Sequence, residues 1–157
     1  MDVLVTGIGA GAAGTLVMDL LNNLFARTGI ISKIDVAMIG RMASGWLRGR
    51  FLYEHPDEIK RVSYEKRYGY IAHYIIGIGL ASIFLFGWYL LDGGPVSPLW
   101  AILWGIATTS ASVFFIYPSM GYGVFGMKSP EGIKGPISSL ANHFFFGIGM
   151  AIAIAAA

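Results

Sequence analysis

The sequence predicts an all-α membrane protein with four transmembrane helices and an amphipathic helix lying on the cytoplasmic membrane surface between the first two. Three observations carry the prediction. Charged residues are only 13% of the 157-residue chain, hydrophobic residues are 55%, and the mean hydropathy is +0.65, whereas ordinary soluble chains carry about 25% charge. The apolar residues gather in four blocks, 3–26, 71–91, 99–117 and 137–157. At about 1.5 Å of rise per residue, each can cross a hydrocarbon core that needs roughly 20 helical residues. All eleven Lys and Arg lie at Arg27, in the 29–70 connection, or at Lys128 and Lys134. The chain reads as one domain, 1–157.

That charge asymmetry sets the expected orientation. The positive-inside rule puts both basic connections in the cytoplasm, and the amino terminus, the turn at Asp92 to Pro95 and the carboxyl terminus outside, in a bacterial inner membrane. Membrane lipids are the expected partners of the basic face. Nucleic acid is not, because both signs of charge mix in the loops and no recognition motif accompanies them. With no cysteine, disulfides and thiolate metal sites are ruled out.

Taken in order, the first block is preceded only by Asp2 and the amino terminus, with no Lys or Arg before Arg27, so it reads as a retained helix rather than a signal peptide. Its G-I-G-A-G-A-A-G carries the letters of a dinucleotide fingerprint without the preceding strand. Gly7 and Gly11 are therefore expected to pack helices. Across 35–48, Ile39, Met42, Ala43, Trp46 and Leu47 follow a helical period opposite Arg41, Ser44 and Arg48. Ser32 or Asp35 is the expected cap and Gly49 the expected end. The stretch 53–66 reads as a solvated loop or short polar helix. Ser97 and Pro98 open the third span, and Gly135-Pro136 the fourth. Trp88, Tyr89 and Trp100 form an expected outer aromatic belt, and Tyr64, Tyr68, Tyr70, Tyr117 and Tyr122 an inner one.

The frame H-x-x-x-G-x-G-x-A occurs twice, at His73 and at His143, seventy residues apart. A two-helix unit used twice in parallel sets both histidines at one depth, and G-A-A-G-T from Gly11 is compatible with G-I-A-T-T from Gly105. His73, Gly77 and Ala81 share a helix face, as do His143, Gly147 and Ala151. Several readings stay open. The second and fourth spans touch through these small residues, with each histidine a polar latch. Alternatively, the track beside each imidazole leaves room for a haem, chlorin or metal that His73 and His143 ligate, or the imidazoles relay protons or ions. No cofactor is the default.

Asp19 lies roughly 10 Å inside the inner boundary at about 1.5 Å per residue, where a carboxylate turns inward and finds a partner. The expected buried polar cluster is Asp19, His73, His143, Met120 and Arg41, with the arginine folding over from the surface helix. Nothing fixes a catalytic nucleophile. The leading functional expectation is a non-enzymatic accessory or assembly subunit of a larger membrane complex, partnered by other membrane subunits. The alternatives are a stand-alone His/Asp site and a small carrier built from two copies.

Leu16-Val17-Met18-Asp19-Leu20, Gly40-Arg41, Ala72-His73-Tyr74, Pro118-Ser119-Met120-Gly121, and His143 with Phe146-Gly147 resemble the pattern of a family of small four-helix bacterial inner-membrane proteins of unknown function. The resemblance spans nearly the whole chain. It implies the fold and a shared role for Asp19, Arg41, His73, Pro118, Met120 and His143, but no activity, cofactor or partner. Tyr117 departs from the family pattern, in which glutamine more often precedes the proline.

Overall fold

The computed structural model describes residues 2–91 and 93–157, so Asp92 of the expected outer turn lies outside the described residues. Among them are four helices long and apolar enough to cross a membrane. They are α1 (Val3–Ala26), α3 (Glu65–Leu91), α4 (Pro98–Ser119) and α5 (Lys134–Ala155), with the shorter α2 (Val36–Trp46) between α1 and α3.

Local chemistry sets the ends. Asp2 caps α1 by accepting from the Leu4 and Val5 amides, and Asp35 caps α2 by accepting from Met38. Past α2, Gly49 takes a φ of +77° while Arg50 N–H bonds Gly45 O and Gly49 N–H bonds Trp46 O, the paired closure that glycine at this position permits. α3 begins six residues before the expected 71, because Lys66 and Arg67 extend the helix beyond its apolar block. Ser97 stands at the start of α4 without a side-chain capping bond; Pro98 alone marks that start.

α4 is irregular. Thr108 Oγ1 donates to Gly105 O at 2.6 Å and Ser110 Oγ to Ala107 O at 2.7 Å, and such back-bonding competes with the backbone ladder. A π-turn follows over Ser112–Ile116, with Tyr117 N–H reaching back to Ser112 O just before Pro118. Proline removes a helical donor and crowds the preceding turn, which accounts for the slackened geometry.

The spans pack in the order α3, α1, α5, α4. A Cβ at Gly11 of α1 would stand 2.8 Å from Gly77 O of α3, and one at Gly105 of α4 would stand 2.6 Å from the Gly147 Cα of α5. Such contacts leave room for backbone only, the packing mode that small residues give in lipid. Gly7 meets Ser82 in the same α1–α3 seam, and Gly14 and Gly149 close α1 against α5 beneath the Phe146 ring. The expected contact between the second and fourth spans is therefore corrected. Gly77 and Gly147 each face a different neighbour, and from α5 the Phe146 ring reaches Gly77.

α3 and α4 make no comparable seam. They meet through Trp104, whose indole N–H donates to Leu80 O at 3.0 Å and whose ring stacks on Phe84 at 5.6 Å. Towards the basic end the two helices part. α2 lies against the first turns of α3 through Gly40 and Gly69, with Met38, Ile39 and Met42 buried beside Ile59 and Met120. Its apolar face is thus turned largely into protein; Leu47, expected on that face, is 88% exposed.

Gly147→Ala places a Cβ 2.8 Å from Ile102 Cα. Unfolding in detergent should show a loss of about 1–3 kcal/mol, the usual cost of overpacking. Gly79→Ala, with nothing within 4 Å, should be neutral or slightly stabilising, and equal losses at both positions would contradict the seam.

Candidate functional site

Where α3 and α4 part, a cleft of about 490 Å³ runs between them, backed by α1 and α5 and covered at the basic end by α2 and the 32–35 and 129–131 segments. Such a volume lies within the usual range of small-molecule sites, roughly 300–1,000 Å³. Its walls are mainly apolar, from Ile76 and Leu80 of α3, Phe115 and Ile116 of α4, and Phe146 of α5. Both histidines of the repeated frame line it.

The two imidazoles have different partners. His73 Nε2 lies 3.1 Å from Asp19 Oδ1, with both side chains about one-sixth exposed. The carboxylate thus finds the inward partner its depth requires. His143 Nδ1 instead lies 2.8 Å from Thr108 Oγ1. Thr108 Oγ1 also donates to Gly105 O at 2.6 Å, so the hydroxyl ties His143 of α5 to the backbone of α4.

Arg41 does not join this layer. Its guanidinium makes a two-pronged pair with Glu65 at the start of α3, at 2.7 and 2.9 Å, and that bonding holds Arg41 above its ordinary pKa. Met120 lines the cleft while packing with Met38, Ile39 and Met42. The expected five-residue cluster therefore divides: Asp19 with His73, His143 with Thr108, Arg41 with Glu65, and Met120 in an apolar floor. Tyr117 and Tyr122, expected at the interface, line the cleft, and Tyr117 donates its hydroxyl to Gly135 O at 2.9 Å. Their rings lie 6.1 Å apart in an edge-to-face contact.

The small-residue tracks beside the imidazoles are filled too. Gly77 faces Gly11 and Thr15 of α1, Gly147 faces Ile102 of α4, and Gly149 faces Gly14 of α1. A macrocycle lying along either track would displace a helix. Among the described residues, no group of three or more His, Cys, Asp or Glu is placed to hold a metal ion.

Sequence reasoning missed the latch between α1 and α5. Asn22, only 2% exposed, donates to Asn142 Oδ1 at 2.9 Å and to Ser32 O at 3.0 Å, and accepts from Ile34 N–H at 3.1 Å. Ser138 accepts from Ser32 N–H at 2.8 Å, which fixes the same segment to α5. The signal was present in S-S-L-A-N-H, where Ser138, Ser139 and Asn142 lie within about one turn of helix on a buried face. The Trp46 indole N–H makes no hydrogen bond and is sealed within the protein, and the Ser139 hydroxyl interacts with the Tyr117 hydroxyl.

Comparison with known proteins gives one family. The model described as protein of unknown function (DUF2938) matches residues 6–157. No curated protein and no solved structure matches.

Asp19→Ala leaves His73 without its acceptor. Breaking one side of a buried pair costs about 3–5 kcal/mol, and partial exposure lowers that to roughly 2–3 here, at least as much as His73→Ala or His143→Ala. A double-mutant cycle in detergent should give more than about 1 kcal/mol of coupling for Asp19 with His73 and near zero for Asp19 with His143. Equal couplings would restore the single layer.

Proposed function

We propose that this chain, which belongs to the DUF2938 family of proteins of unknown function, is a multi-pass membrane protein that binds a small apolar molecule in the cleft between α3 and α4. The observation that carries this reading is the cleft itself. Glycine contacts draw α1 to α3 and α4 to α5, yet α3 and α4 stand apart around a mainly apolar space of about 490 Å³. Packing that close elsewhere leaves few voids unless something uses them.

The reading includes the placement expected from charge: a bacterial inner membrane, basic loops inside, both termini outside, and α2 at the inner interface covering the cleft. Supporting that placement, Arg27, Lys33, Arg48, Arg50, Lys60, Arg61 and Lys128 all lie between spans rather than within them, and Lys134 is the first residue of α5. The parallel two-helix repeat is part of the proposal as well. Gly11 meets Gly77 as Gly105 meets Gly147, which pairs the first span with the second as the third with the fourth. Under that symmetry the α1–α5 contact corresponds to α3–α4, so the cleft is the place where the repeat is left open.

An accessory or assembly role is compatible with the many exposed apolar side chains of the spans, but lipid accounts for these equally. The cleft favours a site of the chain's own, with the Asp19–His73 pair as its positioning element.

Protein extracted in mild detergent should carry about one small apolar molecule per chain, identified by mass spectrometry of an organic extract. Ala111→Phe, which puts a ring into the cleft, should lower that occupancy at least tenfold with an unchanged far-ultraviolet circular dichroism spectrum. Full occupancy in the variant, or a wild type empty of everything except bulk lipid, would overturn the reading.

A further inference from the structure

We infer that the cleft takes a single-chain amphiphile with a neutral head of several hydroxyls, of the monoacylglycerol kind, and holds that head against α4 and α5 near the basic end. The inference rests on the reading of the cleft as a ligand site. It starts from how the lining changes with depth. Ser112 of α4, Asn142 and His143 of α5, and Tyr122 just past α4 all line the cleft. At about 1.5 Å of rise per residue they stand within roughly 15 Å of the basic ends of their helices. Ile76, Leu80 and Phe146 line the space farther in.

The four polar residues keep hydrogen-bonding capacity that the described residues do not use. Asn142 is 7% exposed, and its carbonyl accepts from Asn22, so its own amide N–H groups remain; these can only donate. His143 meets Thr108 through Nδ1, which leaves Nε2. The hydroxyls of Ser112 and Tyr122, both partly exposed, have no hydrogen-bond partner among the described residues. By contrast Thr15 donates to Gly11 O, Ser138 to Lys134 O and Tyr117 to Gly135 O. Leaving buried polar groups unpaired is costly. One carbonyl oxygen has two lone pairs, too few for four groups on three segments of chain. A head with several hydroxyls gives and accepts at each of them.

Charge keeps the head neutral. Lys33, Asp35 and Glu131 line the mouth, are exposed and mix both signs, and His73 is taken up by Asp19. Burial pushes the Tyr122 phenol up, so it keeps its proton and can donate. A charged head would be desolvated there against no dominant opposite charge.

The apolar part takes the chain. With the head beside Ser112 and Asn142, a hydrocarbon tail runs along Ile76, Leu80 and Phe146 towards the middle of the spans. That is the direction in which a lipid of the leaflet at the basic end already points. α3 and α4 part here, and Phe115, which lines the cleft, is half exposed. Such a molecule therefore enters sideways without turning over.

The test uses the full chain in phosphatidylcholine nanodiscs, titrated with radiolabelled 1-dodecanoylglycerol, dodecane and dodecanoate at equal mole fraction in the bilayer. The readout is the probe retained above protein-free discs. The glyceride should bind at least about tenfold more tightly than dodecane, as two or more net hydrogen bonds give, and dodecanoate should not displace it. Ser112→Ala and Tyr122→Phe each remove a hydroxyl that bonds nothing in the protein. Each should weaken the glyceride about three- to tenfold, the range of one net hydrogen bond, and leave dodecane unchanged. Equal binding of glyceride and alkane, or unaltered glyceride binding in either variant, overturns the inference while leaving the cleft as a site. Preference for dodecanoate overturns it too. If no probe binds wild type better than it binds Ala111→Phe, the inference and the cleft reading fall together. Should one hydroxyl variant not fold, the other decides.

Discussion

Backbone-to-backbone contact at glycine governs this molecule. In lipid no hydrophobic force draws apolar helices together, so they associate where side chains are small enough for dispersion and polar contacts to act at short range. Gly11 against Gly77 and Gly105 against Gly147 supply two such seams, and Gly14 with Gly149 supplies a third. These fix three of the four neighbour relations round the bundle. The fourth, α3 with α4, is built from Trp104 and Phe84 towards the end away from α2, where large rings keep helices apart rather than draw them in. The cleft is the geometric remainder of that difference.

The polar side chains fall into place around it. Asn22 and Asn142 lock α1 to α5 on the closed side. His73 and His143 line the open side, and each also bridges to a neighbouring helix, His73 to Asp19 of α1 and His143 to Thr108 of α4. α2 is pinned across the basic end by Gly40 and Gly69 and by the Arg41–Glu65 pair. Trp46 is thereby carried to the edge of the cleft with its N–H unsatisfied and sealed within the protein.

The spans themselves were legible in the sequence because length and apolarity are local properties. α1 and α5 match their expected limits within three residues, and α2 appears between its expected cap Asp35 and its expected stop Gly49. Partner choice was less legible. That Asp19 turns inward to a partner followed from the cost of burying a carboxylate, but whether the partner is a histidine or an arginine, and which one, depended on helix order, which no local pattern encodes. Thr108 lay three residues beyond Gly105, so its meeting with His143 required knowing that α4 and α5 share a seam. The π-turn left only the weak trace of hydroxyls and a proline in T-T-S-A-S-V-F-F-I-Y-P. Trp46 read as one more apolar residue of an interfacial helix, because an unsatisfied donor is a property of surroundings and not of composition.

The openness of the space between α3 and α4 can be measured directly, since the chain has no cysteine and single thiols can be introduced. Ser112 lines the cleft, whereas its neighbour Val113 is 5% exposed and does not. Ser112→Cys in nanodiscs should react with N-ethylmaleimide at least tenfold faster than Val113→Cys, and filling the cleft with Ala111→Phe should remove the difference. Equal, slow reaction of the two thiols in the otherwise unaltered protein would mean that α3 and α4 close upon each other, and would contradict the account.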